Sequence, residues 1–174
     1  MSEDKPQYVE PTAGEGGMTE LQHAAYRGDI DGVVAAMRGR PDLNAADQSG
    51  WTALHWLVDM GMVDGERERI LDVLVAAGAD VDARDLEGST PLMIACRAGN
   101  PDLVRRLVDA GAAVNARDHN GRTALMEAAC YGEPQTVNLL LASGADRSAR
   151  TSDGKTAMEL ARMQGWDEVV AIFS

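Results

Sequence analysis

The chain copies itself. A threonine opening a short apolar run recurs at Thr19, Thr52, Thr90, Thr123 and Thr156, at steps of 33, 38, 33 and 33 residues. The runs read TELQHAA, TALHWLV, TPLMIAC, TALMEAA and TAMELAR. After each, past two intervening residues, comes a glycine, at Gly28, Gly61, Gly99, Gly132 and Gly165. A second apolar run then closes on GAD, GAA and GAD at residues 78–80, 111–113 and 144–146. Such a chain has no single central core to bury. Each unit covers the apolar face of the next, so length measures the number of units rather than the diameter of a core. Aromatics make up only 4% of the residues, which suits many thin layers of short helices.

The third unit shows the local logic. Thr90 can cap a first helix, and Pro91 takes the first helical position, where its missing N–H costs nothing. Gly99 permits the left-handed conformation that ends that helix. Pro101 opens a second helix whose Leu103, Val104, Leu107 and Val108 form a one-sided stripe, and Gly111 ends it. The stretch VNARDHNGR, residues 114–122, is a turn-rich connection with Asn120-Gly121 suited to a tight hairpin. Thr19 with Gln22, and Thr156 with Glu159, have capping-box spacing. Helices shorter than the ~12–15 residues needed for marginal stability alone must draw their stability from stacking.

The period and the T-P-L-H-x-A-like runs resemble the ankyrin repeat over residues 18–174. The resemblance implies an all-α ankyrin-repeat solenoid of helix-turn-helix units joined by β-hairpin turns. Its units would lie near 18–46, 47–84, 85–117, 118–150 and 151–174, three of them full and the two terminal ones atypical caps. The first unit carries Arg40 where later units have glycine, and the fifth stops after WDEVVAIFS. Residues 1–17, polar and acidic, read as a disordered lead-in, with neither a signal peptide nor a membrane span.

A net charge of −12 counts against nucleic acid or an anionic membrane as partner, since both need a basic footprint. The two cysteines, Cys96 and Cys130, provide neither a disulfide framework nor a zinc motif, which fits a reduced, cytoplasmic, monomeric protein. Two lysines against fourteen arginines, with much Ala, Gly, Asp and Val, resemble the product of a GC-rich, bacterial genome. No cofactor and no metal site are expected. The histidines His23, His55 and His119 share no helix face, and the resemblance makes His55 a structural residue bonded to the neighbouring hairpin. The most enzyme-like pair is Cys130 with His119, the sole basis for a cysteine-dependent enzyme, and no third orienting group accompanies it.

The second unit departs most from the pattern. Trp56-Leu57-Val58 stand where the family has a small Ala-Ala pair, and five extra residues lie between Gly61 and Ile70. Bulky side chains there would push helices apart, and the insertion could accommodate them. The charged stretch 62–69 reads as a loop with few anchors.

Function is expected at the surface. The resemblance implies a non-enzymatic protein-binding module using hairpin tips and the concave ends of the first helices; an inhibitor or immunity-type protein blocking a cognate enzyme is the alternative. Carried onto this chain, the partner-binding positions are Tyr26 and Arg27, then Gln48, Trp51, Asp59 and Met60. Leu86, Glu87 and Arg97 follow in the third unit, His119, Asn120, Arg122 and Tyr131 in the fourth, and Asp153 and Lys155 in the fifth. Ser49, Ser89, Ala98, Cys130, Ser152, Met163 and Gln164 flank them on the same face. Trp51, Met60, Leu86 and Tyr131 stand out as apolar groups that the fold itself does not require.

Overall fold

A computed structural model describes residues 17–59 and 65–174. The lead-in 1–16 and residues 60–64, Met60 among them, lie outside the described residues. Ten helices occur among those described, two per unit: α1 (Glu20–Arg27) and α2 (Ile30–Met37), α3 (Ala53–Asp59) and α4 (Glu66–Ala76), α5 (Pro91–Ala98) and α6 (Pro101–Asp109), α7 (Ala124–Tyr131) and α8 (Pro134–Ala142), α9 (Ala157–Gln164) and α10 (Asp167–Ile172). The first helices pack in an inner layer, α1 on α3, α3 on α5, α5 on α7 and α7 on α9. The second helices follow the same order in an outer layer.

The caps fall where the repeated threonines put them. Thr19, Thr90, Thr123 and Thr156 accept from the backbone three residues on, and both capping boxes form. Thr52 differs. Its N–H donates to Nδ1 of buried His55 at 3.2 Å, and His55 Nε2 lies 3.2 Å from the Ser89 carbonyl. A carbonyl can only accept, so Nε2 carries the proton. Gln22 makes the equivalent link in the first unit, donating to the carbonyls of Ala45 and Trp51 at 2.8 Å each.

The connections are tight turns; no strand forms among the described residues, so the expected β-hairpins lack a ladder. In each, the first side chain folds back on its own turn. The Asp47, Asp85 and Asp118 carboxylates accept N–H groups two and four residues on, and Thr151 accepts from Lys155. Consecutive turns are joined by single backbone bonds, from Leu86 to Ser49, His119 to Glu87 and Ser152 to Asn120. Gly88 makes the second contact possible: at φ +80° it lies so close to the His119 ring that a Cβ would come within 2.8 Å of it.

The second unit holds the stack together where separation was expected. Leu57 and Val58 are wholly buried, and α3 still packs on both α1 and α5. The equivalent pairs in the flanking units are Ala24-Ala25 and Ala95-Cys96, so large residues are matched by small ones on either side. Of the charged stretch 62–69, residues 62–64 lie outside the described residues. Residues 66–69 are helical, and Arg67 is buried, its guanidinium donating to the carbonyls of Leu57 at 2.6 Å and Tyr26 at 2.7 Å. Arg67 therefore anchors the ends of α1 and α3. Arg40 has φ +50°, the one non-glycine residue in left-handed conformation among those described, where later units place Gly78, Gly111 and Gly144.

Candidate functional site

A groove of about 600 Å³ opens between the second and third units. The turns at 47–51 and 85–89 form one wall, and the C-terminal ends of α3 and α5 the other. Gln48, Ser49, Trp51, Trp56, Asp59, Asp85, Leu86, Glu87 and Arg97 line it. The two indoles meet edge-to-face, with centroids 4.8 Å apart. Trp51 also stacks on His55, and Tyr26 meets Trp56 edge-on at 5.6 Å.

Both indole N–H groups are committed to carboxylates. Trp51 Nε1 donates to Asp85 at 3.2 Å, and Trp56 Nε1 donates to Asp47 at 2.8 Å. Asp59, on the face of α3 that also carries Trp56, accepts no hydrogen bond and forms no ion pair among the described residues. Burial pushes its carboxyl above the ordinary aspartate value, partly offset by Arg97 and Arg67. Burial likewise lowers the His55 pKa, against the opposing pull of the Ser89 carbonyl, Asp85 and Asp47.

Gln48, Ser49, Trp51, Asp59, Leu86, Glu87 and Arg97 thus come together as the sequence places them. Tyr26 does not: it is buried beneath Trp56 and offers no surface. Ser89 is buried too, its carbonyl held by His55. Trp51 is half-buried and bonded to Asp85, so the fold does use it. Trp56 and Asp85 were missed as lining residues. Trp56 could have been found from its i, i+3 spacing to Asp59, and Asp85 from its place opening the DxxGxT turn. Arg27 is exposed outside this groove.

A shallower groove of about 370 Å³ lies between the last two units, lined by Asn120, Arg122, Thr151, Ser152, Asp153, Lys155, Leu160 and Met163. Its charges are largely paired internally. Arg122 meets buried Glu127 at 2.5 Å, and Lys155 pairs with Asp153. Tyr131 is exposed outside both grooves. His119 and Cys130 are not brought together. The His119 ring rests on the Gly88 turn, while Cys130 contacts Gln164 and its carbonyl accepts from Trp166. Burial drives the Cys96 thiol well above its usual range. Among the described residues no group of three or more His, Cys, Asp or Glu could hold a metal ion, and no helix is long and apolar enough to cross a membrane.

A concave, turn-lined groove on a stack of helix pairs defines a class of repeat protein. The family model for ankyrin repeats (three copies) matches residues 62–151, more than half of the chain, and the chain belongs to that family. Protein phosphatase 1 regulatory subunit 27 of Mus musculus is 39% identical over 82 residues, covering 47% of this chain and 50% of its own. The mouse RelA-associated inhibitor is 37% identical over 75 residues, covering 43% of this chain and 8% of its own. The mouse 2-5A-dependent ribonuclease is 36% identical over 78 residues, covering 44% and 10%. The chain spans half or less of the length of these relatives.

Proposed function

We propose that this chain is a non-catalytic protein-binding domain whose partner enters the groove between the second and third units. The observation that carries the reading is the juxtaposition there of two indoles with Leu86, 70% exposed at a turn tip. Aromatic anchors in a concave pocket surrounded by polar groups are what dominate binding energy at protein interfaces. Similarity to a phosphatase regulatory subunit and to an inhibitor supports a partner that is itself a protein. A scaffold and an inhibitor would use the same surface and differ in what happens to the partner's activity. Two free thiols suit a reducing compartment such as the cytoplasm, and a monomer leaves the groove open.

The test is comparative capture of partner proteins. Leu86→Arg should abolish capture without shifting the melting temperature. Val34→Arg, on exposed α2 in the outer layer, should leave it intact. The reverse pattern would move the site to the outer face.

A further inference from the structure

We infer that the groove receives a basic segment of the partner, with one arginine or lysine side chain seated on Trp51 and Trp56 against Asp59. The inference rests on the protein-binding reading and names the chemistry of its ligand.

The groove's charge favours a cation. Asp59, Asp85 and Glu87 line it against the single guanidinium of Arg97, and Asp47 stands behind Trp56. The carboxylates differ in what they have left to offer. Asp47 and Asp85 are filled by turn N–H groups and by the indoles, whereas Asp59 retains its accepting capacity, half-buried and without a hydrogen bond among the described residues. An anion held in that state is disfavoured unless a positive charge approaches it. Arg97 and Arg67 attract it from a distance, but neither forms an ion pair with it.

The indoles complete the seat. With both N–H groups already donated to carboxylates, each ring has only carbon surface and π density left to offer. Donation to an anion also enriches the ring in electron density, which strengthens attraction for a cation over its face. A neutral polar side chain would gain neither term. An acidic one would meet three carboxylates, so the partner segment is basic.

The probes are three short acetylated peptide amides, identical but for a central arginine, lysine or citrulline; citrulline keeps the shape of arginine and loses its charge. Binding to the full chain is read from the indole and backbone N–H resonances. The arginine or lysine peptide should bind at least ~5-fold more tightly than the citrulline peptide, shift the Trp51 and Trp56 indole signals, and weaken as salt is raised. Asp59→Asn should erase that preference while leaving the melting temperature unchanged or slightly higher. Equal binding of all three peptides, shifts confined to other residues, or full preference surviving in Asp59→Asn would overturn the inference. Partner capture lost in Leu86→Arg but indifferent to Asp59→Asn and to salt would keep the groove as a protein-binding surface and remove the cation from it.

Discussion

The second and fourth units run on the same plan and end differently. In the fourth, Thr123 caps α7, Ala128 and Ala129 form the small pair, and Gly132 leads after one residue into α8. Its Arg122 is spent on buried Glu127. In the second, Leu57 and Val58 fill the small-pair positions, Trp56 stands where the other units have His23, Ile94, Glu127 and Leu160, and five extra residues lie between Gly61 and Ile70, the last of them inside α4. All of these departures meet around α3, and the groove of about 600 Å³ lies beside it. The comparison teaches that the irregular unit is a built one. Bulk went into the core of α3, an inserted arginine tied its end to α1, and the aromatic side chains left over became the floor of a groove.

That contrast can be broken by substitution. Leu57→Ala should cost about 2–5 kcal/mol in urea unfolding, because a wholly buried side chain leaves a cavity between α1 and α5. A neutral result would mean that the small pair is preferred here as elsewhere. Arg67→Ala should cost about 2–3 kcal/mol, since the Leu57 and Tyr26 carbonyls lose a buried charged donor. Arg106→Ala, which breaks an exposed pair with Asp72, should cost under about 1 kcal/mol. Equal losses from the two would deny the inserted arginine its anchoring role.

The pH dependence follows from His55. Its folded pKa lies below the unfolded value, so between the two the unfolded chain binds more protons. Stability from His55 is therefore present above about pH 6.5 and is lost as the pH falls towards the folded value. His55→Gln should flatten that slope in denaturation curves taken from pH 7 downwards. Asp59 acts with the opposite sign: its pKa is raised, so its contribution is lost as the pH rises through the folded value. The smallest effect belongs to the first unit. Arg40→Gly should gain up to about 1 kcal/mol by relieving a left-handed residue that the later units assign to glycine.

The sequence made the fold legible because the repeat depends on local rules. Caps, helix-ending glycines and prolines act within a few residues of themselves; among the described residues, the caps at Thr19, Thr90, Thr123 and Thr156 and the glycines Gly28, Gly99, Gly132 and Gly165 fell where the spacing put them. The aligned Arg40 even reproduced a backbone conformation. Much of the site was legible too, for a related reason. Turn tips and helix ends are set by the period, so most of the groove residues could be named. Tyr26 was misplaced because its burial depends on Trp56 from the next unit, a contact that no single-unit pattern contains. Arg67 was misread because a run of charges resembles solvent-exposed loop, and only the facing carbonyls of two other helices make it an anchor. Trp51 was judged dispensable because its bond to Asp85 crosses from one unit to the next.

The central claim is that the departures of the second unit build the place where a partner docks. Amide hydrogen exchange of the full chain, with and without the partner it captures, tests this most directly. Protection should be concentrated at residues 47–59 and 85–97, with little change at 118–131 and 151–163. Protection centred on the last two units, with the groove beside α3 unchanged, would contradict the account.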